Sequence, residues 1–380
     1  YQRYLREKVL NKMDKIRVAQ VIGTAKAGGV ESMIMNLYQN IDRSQVTFDF
    51  FVENTCPIID KEKIKKLGGN VIIIPHYANV FKYVRTLKKL FIKGKYDIVH
   101  SNMNALSVFT LLAAKKANIK VRIAHSHSTA NKKEWLKTLI KNILRPFSKK
   151  YATHFFACSD LSARWLFGNK IVDAKKVIII NNAIDLSRFA PDDNKRIDMR
   201  NKLNIDNNDL VIGNIGRFVP QKNHVFLIDI FKEIKQRKPN SKLLLIGDGP
   251  YLNKIKQKVQ KLKLTKDVLF IGTVKDVEMY YQTMDYFVLP SLYEGLPVVG
   301  IEAQAMGLNV FFSKNVTEEV KVNDNVYFLS LKQPSKIWAN EIINCLPTNR
   351  IQNHQNMLKS QYDIKIEGAK LLRIYKEILK

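Results

Sequence analysis

The sequence predicts an α/β protein of two doubly wound domains in tandem, each a parallel sheet with helices on both faces. Three observations carry this. Short apolar runs alternate with amphipathic stretches in two successive series, the pattern of parallel strands joined by right-handed helical crossovers. A polar stretch over 186–209, rich in Asp, Asn and Arg, separates the two series. The length of 380 residues gives each series enough chain to bury its own core.

Residues 1–12 are charged and read as an extension ahead of the first domain, which spans 13–190. Its strands are expected at 17–22, 47–52, 71–74, 97–100, 121–124, 154–158 and 177–180, each a short apolar run bounded by polar or glycine-containing turns. The second domain, 191–360, repeats the pattern with strands at 210–215, 242–246, 268–271, 286–289, 310–313 and 326–329. Residues 361–380 read as a C-terminal helix, expected to pack back on the first domain. Two such domains would face a central cleft at their strand ends, where doubly wound folds bind ligands.

Composition excludes several classes. Apolar content of 46% and charged content of 26% are those of a soluble globular chain. Cys56, Cys158 and Cys345 are far apart, odd in number and without metal-ligand spacing, so they are expected to be reduced and structural. No apolar run approaches the length that crosses a bilayer and nothing reads as a signal peptide, so a cytoplasmic location is expected.

The net charge of +29 is concentrated in the first half, where residues 1–190 hold 34 Lys/Arg against 13 Asp/Glu. No helix-turn-helix, zinc-finger or aromatic RNA-binding signature accompanies that charge, so no nucleic-acid partner is expected and an anionic membrane surface fits better. Within 132–150, Trp135, Leu136, Leu139, Ile140, Ile143, Leu144 and Phe147 recur with helical period, while Lys133, Lys137, Lys141, Arg145 and Lys149 take other faces. Residues 81–95 repeat the theme with Lys82, Arg85, Lys88, Lys89, Lys93 and Lys95. Each helix either lies in a lipid interface or packs an ordinary apolar stripe on the core, and the sequence leaves both open.

The stretch 286–307, YFVLPSLYEGLPVVGIEAQAMG, holds the densest chemistry. Its apolar opening reads as a buried strand, Pro290 breaks it, and a polar bend with Glu294 and Gly295 leads into a helix. Pro297 is expected in that helix's first turn and Gly307 at its end. Glu294 then lies in the bend and Glu302 inside the helix, two carboxylates directed at one cleft from different elements. Backbone N–H groups from Gly295 and Leu296 onward would favour a phosphate. A sugar nucleotide needs that combination: carboxylates for hydroxyl groups and a helix start for the diphosphate.

Other motifs are weaker alone. Gly28 and Gly29, after the first strand, permit close approach of backbone to a phosphate, although a Gly-Gly pair is also an ordinary tight turn. The pattern is neither G-x-G-x-x-G nor a P-loop. His125 and His127 close the fifth strand without a third ligand for a metal, so they are either loop histidines or part of a site. In the second domain Arg217 and Lys222 follow a strand end, and together they can neutralise a diphosphate without a metal.

With seven residues between Glu294 and Glu302 in a strand, EGLP, helix setting, this stretch resembles the E-x7-E signature of the retaining glycosyltransferases of family 4. Further segments are similar to that family: G-G-x-E at Gly28, Gly29 and Glu31, G-R-x4-K-N from Gly216 to Asn223, and NNAIDLSRF at 181–189. The likeness covers nearly the whole chain from Ile16, with Ala183 where glycine is usual and Asn309 where proline is common. It implies the GT-B architecture, a nucleotide-sugar donor that is UDP-linked, no other cofactor and no metal. By the same resemblance Glu302 holds ribose hydroxyls and Glu294 sugar hydroxyls, while Arg217 and Lys222 stabilise the leaving diphosphate. Gly28, Gly29, Gly295, Leu296 and Pro297 would adjoin the donor, and His127 rather than His125 would stand beside the transferred sugar.

The runs AHSHST and GRFVPQKNHVFLIDIF look like the branch that assembles bacterial capsular or exopolysaccharide repeat units on a lipid carrier. That implies a lipid-linked or saccharide acceptor and attachment to the inner face of the cell membrane. Two rivals stay open at this point: a sugar-nucleotide epimerase of the same architecture and, from charge alone, a non-catalytic membrane or nucleic-acid binding protein.

Overall fold

A computed structural model describes residues 15–23, 29–53, 60–127, 143–147 and 149–380. The chain divides into two compact units, Tyr1–Ala183 with Ile364–Lys380, and Ile184–Asp363.

The first unit is built on a seven-stranded sheet in the order β3-β2-β1-β4-β5-β6-β7, in which every pairing is parallel. Its strands are β1 (Ile16–Gly23), β2 (Val46–Glu53), β3 (Asn70–Ile74), β4 (Ile98–Ser101), β5 (Val121–Ser126), β6 (His154–Ala157) and β7 (Val177–Ile179). Central strands are apolar almost throughout because helices cover both faces. Val18, Phe48, Phe50, Ile98 and Ile123 enter the core on one side and Ala19, Val21, Phe51, Val99 and Ala124 on the other.

The C-terminal helix Ile364–Leu379 completes the first of these cores with Ile364, Leu371, Leu372, Ile374 and Tyr375. Its Glu367 carboxylate, 1% exposed, accepts from the Asn181 backbone N–H at 2.7 Å and pairs with Lys370 at 2.9 Å. Gly368 sits so close to the helix Gly29–Asn40 that a Cβ there would lie 2.9 Å from the Asn40 carbonyl oxygen.

The second unit carries a six-stranded sheet in the order β10-β9-β8-β11-β12-β13, again with every pairing parallel. Its strands are β8 (Leu210–Ile215), β9 (Ser241–Ile246), β10 (Val268–Gly272), β11 (Tyr286–Leu289), β12 (Asn309–Ser313) and β13 (Val326–Leu329). Strand order reverses between β8 and β11, as it does between β1 and β4 in the first unit. At such a switch point the loops leaving the two central strands turn to opposite faces and open a crevice at the carboxyl ends.

The second unit starts at Ile184, ahead of the boundary at 190 that the polar composition suggests. Leu186 and Phe189 are the reason: both are buried in the second core beside Tyr281 and Ile301. At the other edge Tyr362, 1% exposed, stays with this core and its hydroxyl donates to the Glu319 carbonyl at 2.7 Å, which moves that boundary from 360 to 363. Neither Cys158 nor Cys345 forms a disulfide among the described residues, and Cys56 lies outside them. Among the described residues no helix is long and apolar enough to cross a membrane.

Candidate active site

In the second unit the loop after β8 and the loop after β11 meet at the switch point. The Lys222 ammonium reaches the Glu294 carboxylate at 2.7 Å, and both side chains are largely buried, at 16% and 11% exposed. Backbone bonds hold the two loops in this register. The Leu292 N–H donates to the Gln221 carbonyl at 2.7 Å, and the Gln221 side-chain amide donates to the Tyr293 carbonyl at 3.0 Å. Ser291 Oγ donates to Glu294 Oε1 at 3.1 Å, and Asn315 Nδ2 donates to the Leu292 carbonyl at 2.9 Å.

Glycine shapes the cation side of this site. A Cβ at Gly216 would lie 3.3 Å from Lys222 Cε, so the bare backbone lets the lysine stem cross the strand end. The turn Gly247–Pro250 lies against the same segment: Gly247 has φ +132° and a Cβ there would sit 2.2 Å from the Gly216 carbonyl oxygen. Asp248 accepts from the Phe218 N–H at 2.9 Å through its carbonyl, closing the contact. Arg217, between these loops, is exposed and makes no side-chain hydrogen bond or ion pair among the described residues. A guanidinium held out at a strand end, next to a buried ammonium, is an arrangement for anion recognition.

Glu302 lies on the helix Val298–Ala305. Its Oε2 is 2.9 Å from the Tyr281 hydroxyl, which also stands 3.0 Å from the Val299 carbonyl. Burial pushes the Glu302 carboxyl up to about 7, opposed by the Tyr281 hydrogen bond and the Arg188 charge, while Glu278 adds to the rise. Tyr281 has one hydroxyl proton for two acceptors, so a protonated Glu302 satisfies the cluster: it donates to Tyr281, and Tyr281 donates to Val299.

Pro297 occupies the cap position, with φ −76° and ψ 109°, rather than the first helical turn expected from its type. Its carbonyl accepts the first helical bond, from the Gly300 N–H at 2.9 Å, so the helix proper opens one residue later. Gly295 and Leu296 therefore belong to the bend. Gly295 is exposed with nothing within 4 Å of where a Cβ would stand, so packing does not demand a glycine there and a ligand has room to approach the backbone. Gly307 ends the helix in the left-handed region, φ +74°.

In the first unit Gly29 opens the helix Gly29–Asn40, while Gly28 lies outside the described residues, as does most of 132–150. His125 and His127 belong to a larger group of polar side chains than their spacing announces. His125 is 1% exposed and its Nδ1 meets Nε2 of His100 at 2.8 Å, and His100 Nδ1 meets the Tyr375 hydroxyl at 2.7 Å. His127, partly buried, places Nε2 at 2.9 Å from Asn102 Oδ1, and its backbone N–H donates to Asn104 Oδ1 at 2.8 Å. Burial lowers His100 and His127 to about 3 and holds His125 well below its ordinary value, so all three rings are neutral at pH 7.

The structure thus joins Lys222 to Glu294 directly, gives Glu302 a separate partner in Tyr281, leaves Arg217 outward, and sets His127 in the first unit. Sequence reasoning missed Tyr281, His100, Gln20, Asn102 and Tyr375. It also missed His224, which is 3% exposed, stacks on Phe218 at 4.2 Å and has no hydrogen-bond partner on either ring nitrogen among the described residues. His100 alone carried a usable signal, a polar residue one short of the end of β4, beside β5, in which His125 holds the same position.

Two parallel doubly wound units in one chain form the GT-B architecture, with a charged pair at the switch point where such sheets bind ligands. Comparison agrees. The family "Glycosyltransferase Family 4" matches residues 27–188 and "Glycosyl transferases group 1" matches residues 195–360. EpsF of Bacillus subtilis is 34% identical over 368 residues, covering 94% of this chain and 96% of EpsF. The Escherichia coli UDP-Gal:alpha-D-GlcNAc-diphosphoundecaprenol alpha-1,3-galactosyltransferase is 28% identical, covering 77% of this chain and 78% of that protein. The capsular polysaccharide biosynthesis glycosyltransferase CapH of Staphylococcus aureus is 26% identical, covering 95% and 98%. Among solved structures, a glycosyltransferase from Rickettsia africae matches with a TM-score of 0.78 at 20% identity, over 97% of this chain and 99% of the other. Anabaena HepE in complex with UDP and glucose matches with a TM-score of 0.73 at 18% identity, over 96% and 98%. The chain belongs to the family 4, group 1 glycosyltransferases.

Proposed function

We propose that this glycosyltransferase moves a hexose or N-acetylhexosamine, with retention, from a UDP-sugar to a lipid-linked saccharide in bacterial surface polysaccharide synthesis. The observation that carries the reading is the Lys222–Glu294 ion pair at the switch point of the second unit, with Arg217 exposed beside it. In this pair each partner offsets the other's charge. The donor supplies replacements for both, its diphosphate for Lys222 and Arg217 and a sugar hydroxyl for Glu294.

Glu302 binds the ribose hydroxyls in this scheme, and Gly295, Leu296 and Pro297 line the approach. Gly28 and Gly29 adjoin the diphosphate and His127 meets a hydroxyl of the transferred sugar in the same scheme. Departure of the diphosphate builds negative charge, so cations already in place lower the barrier as well as the dissociation constant. No carboxylate is assigned as a nucleophile; attack and departure on one face account for retention. Arg217 and Lys222 serve the leaving group without a metal. A UDP donor is supported by HepE, solved with UDP, and by the E. coli relative, whose name specifies UDP-Gal and a diphosphoundecaprenol-linked sugar.

Attachment to the inner face of the membrane is supported by the helix Val80–Gly94. It buries Tyr83, Val84, Leu87 and Phe91 in its own unit, yet leaves Phe81 91% and Ile92 54% exposed among the exposed cations Lys82, Arg85, Lys88, Lys89 and Lys93. Apolar tips within a basic face suit an anionic interface, where each cation contributes about 1 kcal/mol.

The test is UDP release from a UDP-sugar with and without a diphosphoundecaprenol-linked sugar, repeated in EDTA, with the anomeric configuration of the product read by NMR. Release that depends on acceptor, persists in EDTA and gives the retained anomer is expected. Acceptor-independent release would sink the transferase assignment, an inverted product the retention, and loss in EDTA restored by magnesium or manganese the metal independence.

A further inference from the structure

The polar side chains around His100, His125 and His127 form two arms that share Tyr375. One arm runs Tyr375–His100–His125, with heavy-atom separations of 2.7 and 2.8 Å. The other runs Tyr375–Gln20–Asn102–His127: Gln20 Nε2 donates to the Tyr375 hydroxyl at 3.1 Å, Asn102 Nδ2 donates to Gln20 Oε1 at 3.0 Å, and Asn102 Oδ1 faces His127 Nε2 at 2.9 Å. The ring centroids of His125 and His127 then lie 3.9 Å apart, so the two arms end face to face.

The directions of the Asn102, Gln20 and His127 bonds follow from one anchor. Asn102 Nδ2 also reaches the backbone carbonyl of His100 at 3.4 Å, and a carbonyl can only accept. That fixes which end of the Asn102 amide is nitrogen, so Oδ1 is the acceptor that faces His127, and His127 carries its proton on Nε2. Gln20 must then present Oε1 to Asn102 and Nε2 to Tyr375. The Tyr375 hydroxyl accepts from Gln20, and the arrangement that also gives its one proton an acceptor has it donate to His100 Nδ1. His100, neutral, holds its proton on Nε2 and gives it to His125 Nδ1, which leaves the His125 proton on Nε2. That atom is buried and has no partner among the described residues, so it is the open end of the chain of bonds.

We propose that this network is a directional relay that holds His127 as the Nε2–H tautomer and leaves its Nδ1 a hydrogen-bond acceptor, with Asn102, Gln20 and Tyr375 as positioning residues. The consequence deepens the donor assignment above and rests on it: the sugar hydroxyl at His127 must donate its proton to the ring. Tyr375 lies on the C-terminal helix, so a residue 275 positions from His100 sets the proton arrangement on strands β4 and β5.

The test reads tautomers directly. Full-length protein carrying 15N-labelled histidine is recorded by long-range 1H–15N correlation NMR at pH 7.5, where the two ring nitrogens of each tautomer are distinguished by shift. Wild type is expected to show His100, His125 and His127 all neutral and all protonated on Nε2; a His127 protonated on Nδ1 overturns the relay, and no substitution is needed to see it. Tyr375→Phe keeps the ring that packs against Phe48 but removes the hydroxyl. It is expected to turn His100 into a mixture of tautomers, with the Nδ1–H form up at least tenfold. Unchanged tautomers in Tyr375→Phe would make Tyr375 a packing residue only and overturn the proposal. Adding UDP-glucose separates the relay from the donor reading. Movement of the His127 Nδ1 resonance supports the contact with a hydroxyl, whereas wild-type tautomers as expected with no response to UDP-glucose remove His127 from the sugar and with it the consequence drawn for the hydroxyl.

Discussion

Glu302 offers the sharpest test of the ribose assignment because it holds a proton near neutrality. Burial raises its carboxyl from an ordinary 4.5 to about 7. Two ribose hydroxyls donating to it would favour the ionised form, so binding must expel that proton. If the bound group returns to its ordinary value, UDP-glucose affinity falls roughly 70-fold between pH 8 and pH 5, and about half a proton is released per ligand at pH 7. UDP-glucose is the right probe because both its phosphates are diesters with no titration in this range. Titration calorimetry in two buffers of different ionisation enthalpy gives the affinity and the proton count together.

The sign in the free protein runs the same way. A carboxyl raised in the folded state binds protons more tightly folded than unfolded, so stability is highest below about 4.5 and declines as pH rises to 7, by at most about 3 kcal/mol. Glu302→Gln should therefore be more stable than the parent at pH 8, level with it near pH 4.5, and bind UDP-glucose with little pH dependence. An affinity flat from pH 5 to 8 in the parent, or the same slope in Glu302→Gln, would refute the role given to this carboxylate.

At the proposed diphosphate site, two substitutions separate chemistry from folding. Arg217→Ala removes an exposed side chain and should leave the unfolding free energy from urea titration within about 0.5 kcal/mol of the parent while lowering turnover about 100-fold or more. Lys222→Ala should lower turnover similarly and also destabilise by roughly 3 kcal/mol, because it leaves Glu294 without its partner in a largely buried position; equal stability of the two variants would contradict the paired geometry. On the first unit, Phe81→Ser with Ile92→Ser should weaken co-sedimentation with anionic vesicles about tenfold without changing UDP-glucose affinity. No vesicle binding by the parent would return that helix to an ordinary surface element.

Strands were legible because each is an apolar run too short for a helix and bounded by a turn; observed ends differ from expectation by one or two residues, as at 121–126, where polar His125 and Ser126 extend the strand. The contents of 286–307 were legible as well, since strand, bend and helix follow one another within one local stretch. Contacts between distant segments were not. Glu302 reads as a helix carboxylate, and only the fold brings Tyr281, from the preceding helix, under it. The histidines show the same limit: spacing displays His125 and His127 as a pair, but their protons are set by Gln20, His100, Asn102 and Tyr375, spread over more than 350 positions. Pro297 failed for a subtler reason, because proline's fixed φ suits the cap as well as the first turn, and ψ, which composition does not encode, decides between them.

The return of the chain to its first unit has a consequence for biosynthesis. The nascent polypeptide leaves that unit after Ala183 and comes back only at Ile364, and the two crossings run side by side, with the Ile184 N–H donating to the Tyr362 carbonyl at 3.0 Å. The whole second unit is therefore translated while the first lacks the helix that closes one side of its sheet. At about 5–20 residues per second that interval lasts roughly 10–40 s. During it the apolar faces of Val18, Phe48 and Ile98 await a cover that does not yet exist. All seven strands of the first unit are made before any of the second, yet the second unit is complete in sequence at Asp363, before the first receives its closing helix, so the unit begun first is the last to be complete.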